Sequence, residues 1–310
     1  MNTTGFLTGI LSPSAAQFAA ALPAAASDWA RLAAPPPTGV QVTWVGHACA
    51  LVQLEGVTVL TDPALQSRCS PISFLGPKRL TAPALDLFDA RCPRPDAVLL
   101  SHNHYDHLCE ESVEQLQAAF GAGGGGKGPL RWFVPLGLKD WFAVRGIHEV
   151  TELDWWQEAE LKAGVRVACT PAQHWSSRSA FDRNASLWCS WVVRGERRRL
   201  WFGGDSGYCS VFKEIGARHG PFDLSLIPIG AYHPRWFHGP AHMDPREAVQ
   251  VHLDVRSKRT LPIHWGCWSL TDEPLDEPPV VLREEARAAG LNETEFSPLL
   301  RGETAVVTAD

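Results

Sequence analysis

The stretch that most limits what this chain can fold into is SHNHYDH at 101–107, which directly follows the run DAVLL at 96–100. A short apolar run bounded in this way reads as a buried strand. His102 and His104 then leave its end with their imidazoles on one side, while Asp106 and His107 turn back toward a second position. Four such residues within six positions exceed what a core-histidine explanation can absorb. Imidazole and carboxylate donors without thiolate favour Zn²⁺, with Mn²⁺ or Fe²⁺ as substitutes, and a catalytic zinc site keeps one coordination position open for water. Two adjacent, incomplete sites call for more ligands downstream. His174 in CTPAQHW, Asp205 in WFGGDSG and His264 in LPIHWG each follow an apolar β-like run and open into a loop, the usual placement for site residues on a rigid scaffold.

The remaining sequence supplies such a scaffold. From Val40, VQVTWVG, CALVQLEG and VTVLTDP read as strands, with Gly56 in a hairpin turn. LRWFVP, EVTELDW, VRVACTPAQH, SLWCSWVVRG, RRLWFGGDSG, FDLSLIPIG and RTLPIHWG continue the strand series. Helical spacing occurs in LCEESVEQLQAAF, near VFKEIGARHG and from Asp244 through Val255. No fixed-period repeat is evident. A 310-residue chain that is 45% hydrophobic can build one large α/β domain whose sheets are covered by helices.

Residues 1–37 are rich in Ala, Pro, Ser and Thr and carry no Lys or Arg before Arg31, so a flexible arm is expected there, with the folded domain at 38–310. Phe6, Leu7, Ile10, Leu11 and Phe18 form an apolar stripe able to rest on a membrane surface. No apolar run reaches the ~18 residues of a bilayer span, so the expected location is intracellular, either cytoplasmic or peripheral to a membrane. Eight cysteines occur singly, without any CxxC, and read as buried thiols of a reducing compartment. The formal charge of −6 excludes the global basic field of a nucleic-acid binder.

Two motifs fail on context. GAGGGGKG at 121–128 imitates a phosphate loop, yet Gly128 stands where a Ser or Thr is needed, and the segment runs from helix to strand, the reverse of the required order. GGDSG at 203–207 imitates a serine nucleophile but lacks its histidine and oxyanion partners.

The chain resembles the metallo-β-lactamase superfamily, whose pattern of HxHxDH, a later His, an Asp and a last His is matched at all seven positions. Within it, WVGHA at 44–48, LTDP at 60–63, SPISFLGPKR at 70–79, AQHW at 172–175, IPIGAYHPRWF at 227–237 and IHWG at 263–266 resemble the N-acylphosphatidylethanolamine-hydrolysing phospholipases D, from Val40 to about Arg301. That resemblance implies a single-domain, four-layer αββα sandwich. It implies two Zn²⁺ ions, one held by His102, His104 and His174, the other by Asp106, His107 and His264, with Asp205 as the bridge. Asp106 and Asp205 are then also candidates to orient the water or take its proton. Asp62 and His47 are expected beside the ligands, Asp62 holding a ligand histidine in the right tautomer.

The resemblance further implies cleavage of a phospholipid phosphodiester at a membrane surface, as part of N-acylethanolamine formation, and it is compatible with a homodimer. Such a site carries local positive charge, enough for one phosphodiester on a protein of negative net charge. The segment GAYHPRWFHGPAHMDP then becomes a lipid-facing loop, with Tyr232, Trp236, Phe237 and His242 as substrate contacts, and Arg235 near the phosphate. Tyr105 is expected to line the pocket. Animal members read HWCKR where this chain reads HWSSR, so Ser177 replaces a lysine and Arg178 is expected to take over its phosphate contact. A dinuclear hydrolase of another phosphodiester or a lactone, and a lipid-binding protein without turnover, are the other readings open at this point.

Overall fold

The computed structural model describes residues 22–72, 74–124 and 126–307. Short strands alternate with turns in the first part of the chain. These are β1 (Val40–Gly46), β2 (Cys49–Leu54), β3 (Val57–Thr61), β4 (Ala97–Leu99), β5 (Arg131–Pro135) and β6 (Val150–Leu153). With β13 (Thr304–Val307) they form a seven-stranded sheet of order β13-β1-β2-β3-β4-β5-β6. The second sheet, of order β12-β11-β10-β9-β8-β7, uses β7 (Glu158–Lys162), β8 (Val165–Thr170), β9 (Ser190–Arg194), β10 (Arg199–Phe202), β11 (Leu224–Pro228) and β12 (Thr260–Ile263).

The period-2 alternation of buried strands builds the layers. In β4 and β5, Ala97, Leu99 and Phe133 face the second sheet, where the Phe133 ring meets Trp191 at 6.3 Å. Val98, Leu100, Trp132 and Val134 face the other way, onto α1 (Trp29–Ala33), α2 (Glu110–Phe120) and α3 (Lys139–Ala143), where they join Leu32, Val113, Leu116 and Phe142. Beyond the second sheet the core continues through Phe212 and Ile215 of α4 (Val211–His219), Val251 of α6 (Pro245–Asp254) and Leu282 of α7 (Glu277–Ala288). Each fully buried apolar side chain of this kind contributes about 1.5–3 kcal/mol. The αββα expectation holds.

One expectation is corrected. Residues 22–37, read as part of a flexible arm, lie on the domain: Ala25 bonds Arg301, Gln41 and Gln53 bond the α1 carbonyls, and Leu32 is fully buried. Sequence composition hid this, because Leu32 is a single anchor in a Pro-rich stretch. The apolar stripe at 6–18 lies outside the described residues. Helix α7 went unread because Pro278 and Pro279 obscure its start, although Pro is accommodated in a first helical turn whose N–H groups have no partner anyway.

All eight cysteines are free thiols. Among the described residues no helix is long and apolar enough to cross a membrane. Strands β1, β3, β4, β8, β10 and β12 all point their C-termini to one edge of the sandwich. At the opposite edge Glu55, in the β2–β3 turn, accepts the backbone N–H groups of Glu196, Arg197 and Arg198 (2.6, 2.7 and 2.6 Å), pinning it to the β9–β10 turn of the other sheet.

Candidate metal centre

Six strand ends deliver the site. His47 follows β1, Asp62 follows β3, His102 and His104 follow β4, His174 follows β8, Asp205 follows β10 and His264 follows β12. After β4, the His104 carbonyl accepts the N–H groups of His107 (3.1 Å) and Leu108 (2.8 Å). This tight turn swings Asp106 and His107 away from His102 and His104, and α2 starts at once behind it, with Glu110 and Glu111 favourably placed in its first turn. The two sheets meet closely here. His264 donates its backbone N–H to the His47 carbonyl at 3.1 Å, and a Cβ on Gly204 would fall 2.6 Å from that of Ser101. His47, Asp62 and His264 all have positive φ (54°, 28° and 63°), a conformation that costs a non-glycine residue about 1–3 kcal/mol and persists where surrounding structure enforces it.

The side chains form two clusters. In the first, His102 Nε2 and His174 Nε2 converge on His104 Nδ1, at 2.8 and 3.2 Å. In the second, His47, His107 and His264 each bring Nε2 to Asp106 Oδ2, at 3.1, 3.3 and 3.3 Å. Asp205 spans both: its Oδ2 lies 3.1 Å from His107 Nε2, 3.0 Å from His264 Nε2 and 3.9 Å from His174 Nε2.

Partners behind the rings set which nitrogen faces inward. Asp62 Oδ2 accepts from His107 Nδ1 at 2.5 Å and from the Ser101 hydroxyl at 2.5 Å. The Ser101 oxygen in turn accepts from His102 Nδ1 at 2.9 Å, and the Ala241 carbonyl accepts from His174 Nδ1 at 2.9 Å. With those Nδ1 positions protonated, the Nε2 atoms of the neutral His102 and His174 rings carry lone pairs, and His107 would present its Nε2 lone pair on giving up its second proton. One proton on His104 cannot serve both His102 and His174. His107 Nε2 and Asp205 Oδ1 are buried without a hydrogen-bond partner. A cation in each cluster would satisfy these atoms together, so the donor set fits metal ions.

The charges agree. Burial pushes His104 and His174 down to about 3, with each also repelled by neighbouring imidazoles, and His102 is held well below its ordinary value for the same reasons. In the second cluster burial again disfavours the charged imidazole, but Asp205 and Asp106 outweigh it and raise His264 to about 9 and His107 well above the usual range. Burial likewise opposes ionisation of Asp106 and Asp205, yet the surrounding imidazoles hold both well below the ordinary carboxylate range.

All seven expected ligand residues are thus brought together, with Asp62 and His47 beside them. The expected substrate contacts divide. His242 faces the centre, its Nδ1 3.9 Å from Asp205 Oδ2 and without a hydrogen-bond partner. Trp236 and Phe237 are exposed on α5 (Arg235–His238), and a ladder of rings runs from Phe237 to His238 (4.9 Å) and on to His242 (6.0 Å).

Tyr232 is instead buried, with its hydroxyl donating to Glu277 at 2.7 Å. Arg178 is turned to bracing: Nη1 donates to the carbonyls of Asn103 and Leu108 at 2.8 and 2.7 Å, and its guanidinium lies 4.0 Å over the Tyr105 ring. Tyr105 completes that brace by donating to the Arg178 carbonyl at 2.9 Å. Arg235 is bound to Glu247 and the His242 carbonyl, which removes it from the expected phosphate contact. The role of Ser101 was missed, although it opens the very motif that carried the reading.

Residues 57–265 match the β-lactamase superfamily domain. Over 278 residues the chain is 44% identical to N-acyl-phosphatidylethanolamine-hydrolyzing phospholipase D 1 of Caenorhabditis elegans, an alignment covering 86% of this chain and 75% of that protein. The mitochondrial N-acyl-phosphatidylethanolamine-hydrolyzing phospholipase D of Saccharomyces cerevisiae is 36% identical over 264 residues, which is 83% of this chain and 54% of the yeast protein. Among solved structures, a metallo hydrolase from the archaeon Ignicoccus hospitalis shares the fold with a TM-score of 0.63 at 19% identity, over 88% of this chain and 100% of that one.

Proposed function

The chain belongs to the β-lactamase superfamily, and from that membership as a metal-dependent hydrolase we propose that it is a zinc-dependent phosphodiesterase that converts N-acylphosphatidylethanolamine to an N-acylethanolamine and phosphatidic acid. Asp205 is the observation that carries this reading, because its Oδ2 serves nitrogens of both clusters at once. Two Zn²⁺ ions held there would supply a water acidified toward hydroxide at neutral pH and positive charge against the phosphodiester.

The chain's own residues prepare that chemistry. Asp62, Ser101 and the Ala241 carbonyl fix the tautomers of His107, His102 and His174. Asp106 and Asp205 offer acceptors for a water proton, and His242 presents an uncommitted nitrogen to the same space. In the overall reaction the water oxygen joins phosphorus, the bond from phosphorus to the ethanolamine oxygen breaks, and a water proton ends on the released alcohol.

The surroundings support a lipid substrate. Phe74 (80% exposed), Phe181 (98%) and Trp236 (82%) stand on three separate segments, each tied to the centre. Gln66, beside the Phe74 loop, bonds the Tyr105 carbonyl at 2.7 Å. Arg183, near Phe181, lies 5.0 Å over Trp175, whose ring meets His104 at 4.3 Å. The third segment is α5. Exposed apolar side chains gathered round a site mark contact with an apolar partner, here a phospholipid surface.

The test measures bound metal, then turnover of N-acylphosphatidylethanolamine, a soluble phosphodiester and a lactone, with and without chelator. Chelator-sensitive release of N-acylethanolamine is expected. Metal-replete protein that cleaves the soluble compounds and leaves the phospholipid intact would sink this reading, and no turnover of any of them would point to a lipid-binding protein.

A further inference from the structure

Arg79 lies outside the metal centre, yet its contacts reach Asp106 by two routes, and His47 on one of them also meets the rings of His264 and His107 in the same cluster. Its guanidinium donates from Nε to the Gln66 carbonyl (3.0 Å), from Nη1 to the Thr81 carbonyl (3.3 Å) and the Cys267 sulfur (3.6 Å), and from Nη2 to the Ala64 carbonyl. Its flat face also covers the Trp268 ring, at 4.1 Å. The first route runs through side chains. Trp268 is buried and meets the His47 ring edge-on at 4.7 Å, and His47 Nε2 reaches Asp106 Oδ2 at 3.1 Å. The second runs through backbone: Gln66, held by Arg79 at its carbonyl, donates its side-chain amide to the carbonyl of Tyr105, the residue before Asp106. Among the described residues no hydrogen bond or ring contact of Arg79, Gln66, Trp268 or His47 ends directly on His102, His104 or His174; His102 is reached through His107 or through Asp62 and Ser101.

We infer that Arg79 is a positioning residue that fixes Asp106, and so prepares the carboxylate cluster for its metal while leaving the three-histidine cluster alone. The inference rests on the reading of both clusters as metal positions and not on the identity of the substrate. A lysine cannot replace Arg79, since one ammonium can neither reach four acceptors in a plane nor stack flat on an indole.

Cobalt titration of metal-stripped protein tests this without any substrate. The affinity and visible spectrum of the first and second Co²⁺ equivalents are read for the wild type, Arg79→Met, Arg79→Lys, Trp268→Ala and Trp268→Phe. Residues that orient metal ligands typically affect affinity by about 10–100-fold. Arg79→Met, Arg79→Lys and Trp268→Ala should weaken the second equivalent by that amount and alter its spectrum, with the first equivalent unchanged. Trp268→Phe, which keeps a ring between Arg79 and His47, should restore the second equivalent to near wild type.

Equal weakening of both equivalents, an unchanged second equivalent in folded Arg79→Met, or a single equivalent in the wild type would overturn the inference. Should Arg79→Met fail to fold, the Trp268 pair decides by the same two readings. A wild type that takes up two equivalents but leaves N-acylphosphatidylethanolamine intact would remove the proposed substrate and not this role of Arg79.

Discussion

In the cluster of His102, His104 and His174, burial and mutual repulsion keep the rings neutral, so an arriving cation meets lone pairs. A few ångströms away, Asp106 and Asp205 hold protons on His107 and His264, in the very place a cation would occupy. The first cluster can take metal without giving anything up, whereas the second must exchange protons for it, which makes its affinity the more dependent on pH. Two positions built from the same residue types thus differ through the placing of two carboxylates.

Asp205→Asn should have the largest effect, because it removes the charge shared by both clusters. Turnover is expected to fall on the order of 10²–10³, as for loss of a preorganised electrostatic group, with the second metal equivalent lost before the first. Steady-state kinetics and metal analysis check this, and equal loss of both equivalents would erase the distinction between the clusters. A smaller effect, about 10–100-fold in metal affinity, is expected from loss of the orienting partners. Asp62→Asn should act mainly on the carboxylate cluster through His107, and Ser101→Ala on the three-histidine cluster through His102. Competition with a chromophoric chelator separates them, and identical profiles for the two variants would count against the assignment.

Acidity sharpens the same contrast in metal-stripped protein. His104, His174 and His242 stand at about 3 when folded against 6.5 unfolded, all chiefly through burial. Their contribution is complete above pH 6.5 and is lost as the pH falls toward 3. His264 has the opposite sign: raised to about 9, it contributes fully below 6.5 and loses that contribution as the pH rises through 9. Thermal midpoints of the stripped protein should therefore drop by a few degrees on each side of near-neutral pH, and metal should abolish the alkaline drop. A flat profile from pH 7 to 9 would remove the charged description of the carboxylate cluster.

The smallest chemical effect belongs to the rim. Trp236→Ser with Phe237→Ser should leave soluble-phosphodiester turnover within about twofold while weakening vesicle association roughly tenfold or more, given the area of two aromatic rings. Co-sedimentation with phospholipid vesicles measures it, and unchanged retention would take these rings out of lipid contact.

The clustering of the candidate ligands was legible because metal chemistry demands particular residue types at strand ends, and SHNHYDH concentrates four of them in one place. The succession of strands along the chain followed from short apolar runs, and the αββα layers from the superfamily resemblance. What remained hidden depends on distant partners. Arg178 looks like a phosphate ligand until its Nη1 is seen spent on Asn103 and Leu108, and Tyr232 looks like a pocket aromatic until Glu277 is seen at its hydroxyl. Arg79 and Trp268 lie 189 positions apart in sequence, and no local pattern announces that the guanidinium covers the indole. Ser101 was in plain view, but a serine becomes informative only when both of its neighbours in space are known.

The clasp formed by Glu55 on the Glu196–Arg198 turn sits as far from the metal centre as the strands allow. It gives the molecule a handle: a polar end, rich in charged side chains and free of site residues, where the two sheets stay joined whatever happens among the ligands. A fluorophore, a surface tether or a fusion partner attached there would leave the working end turned outward.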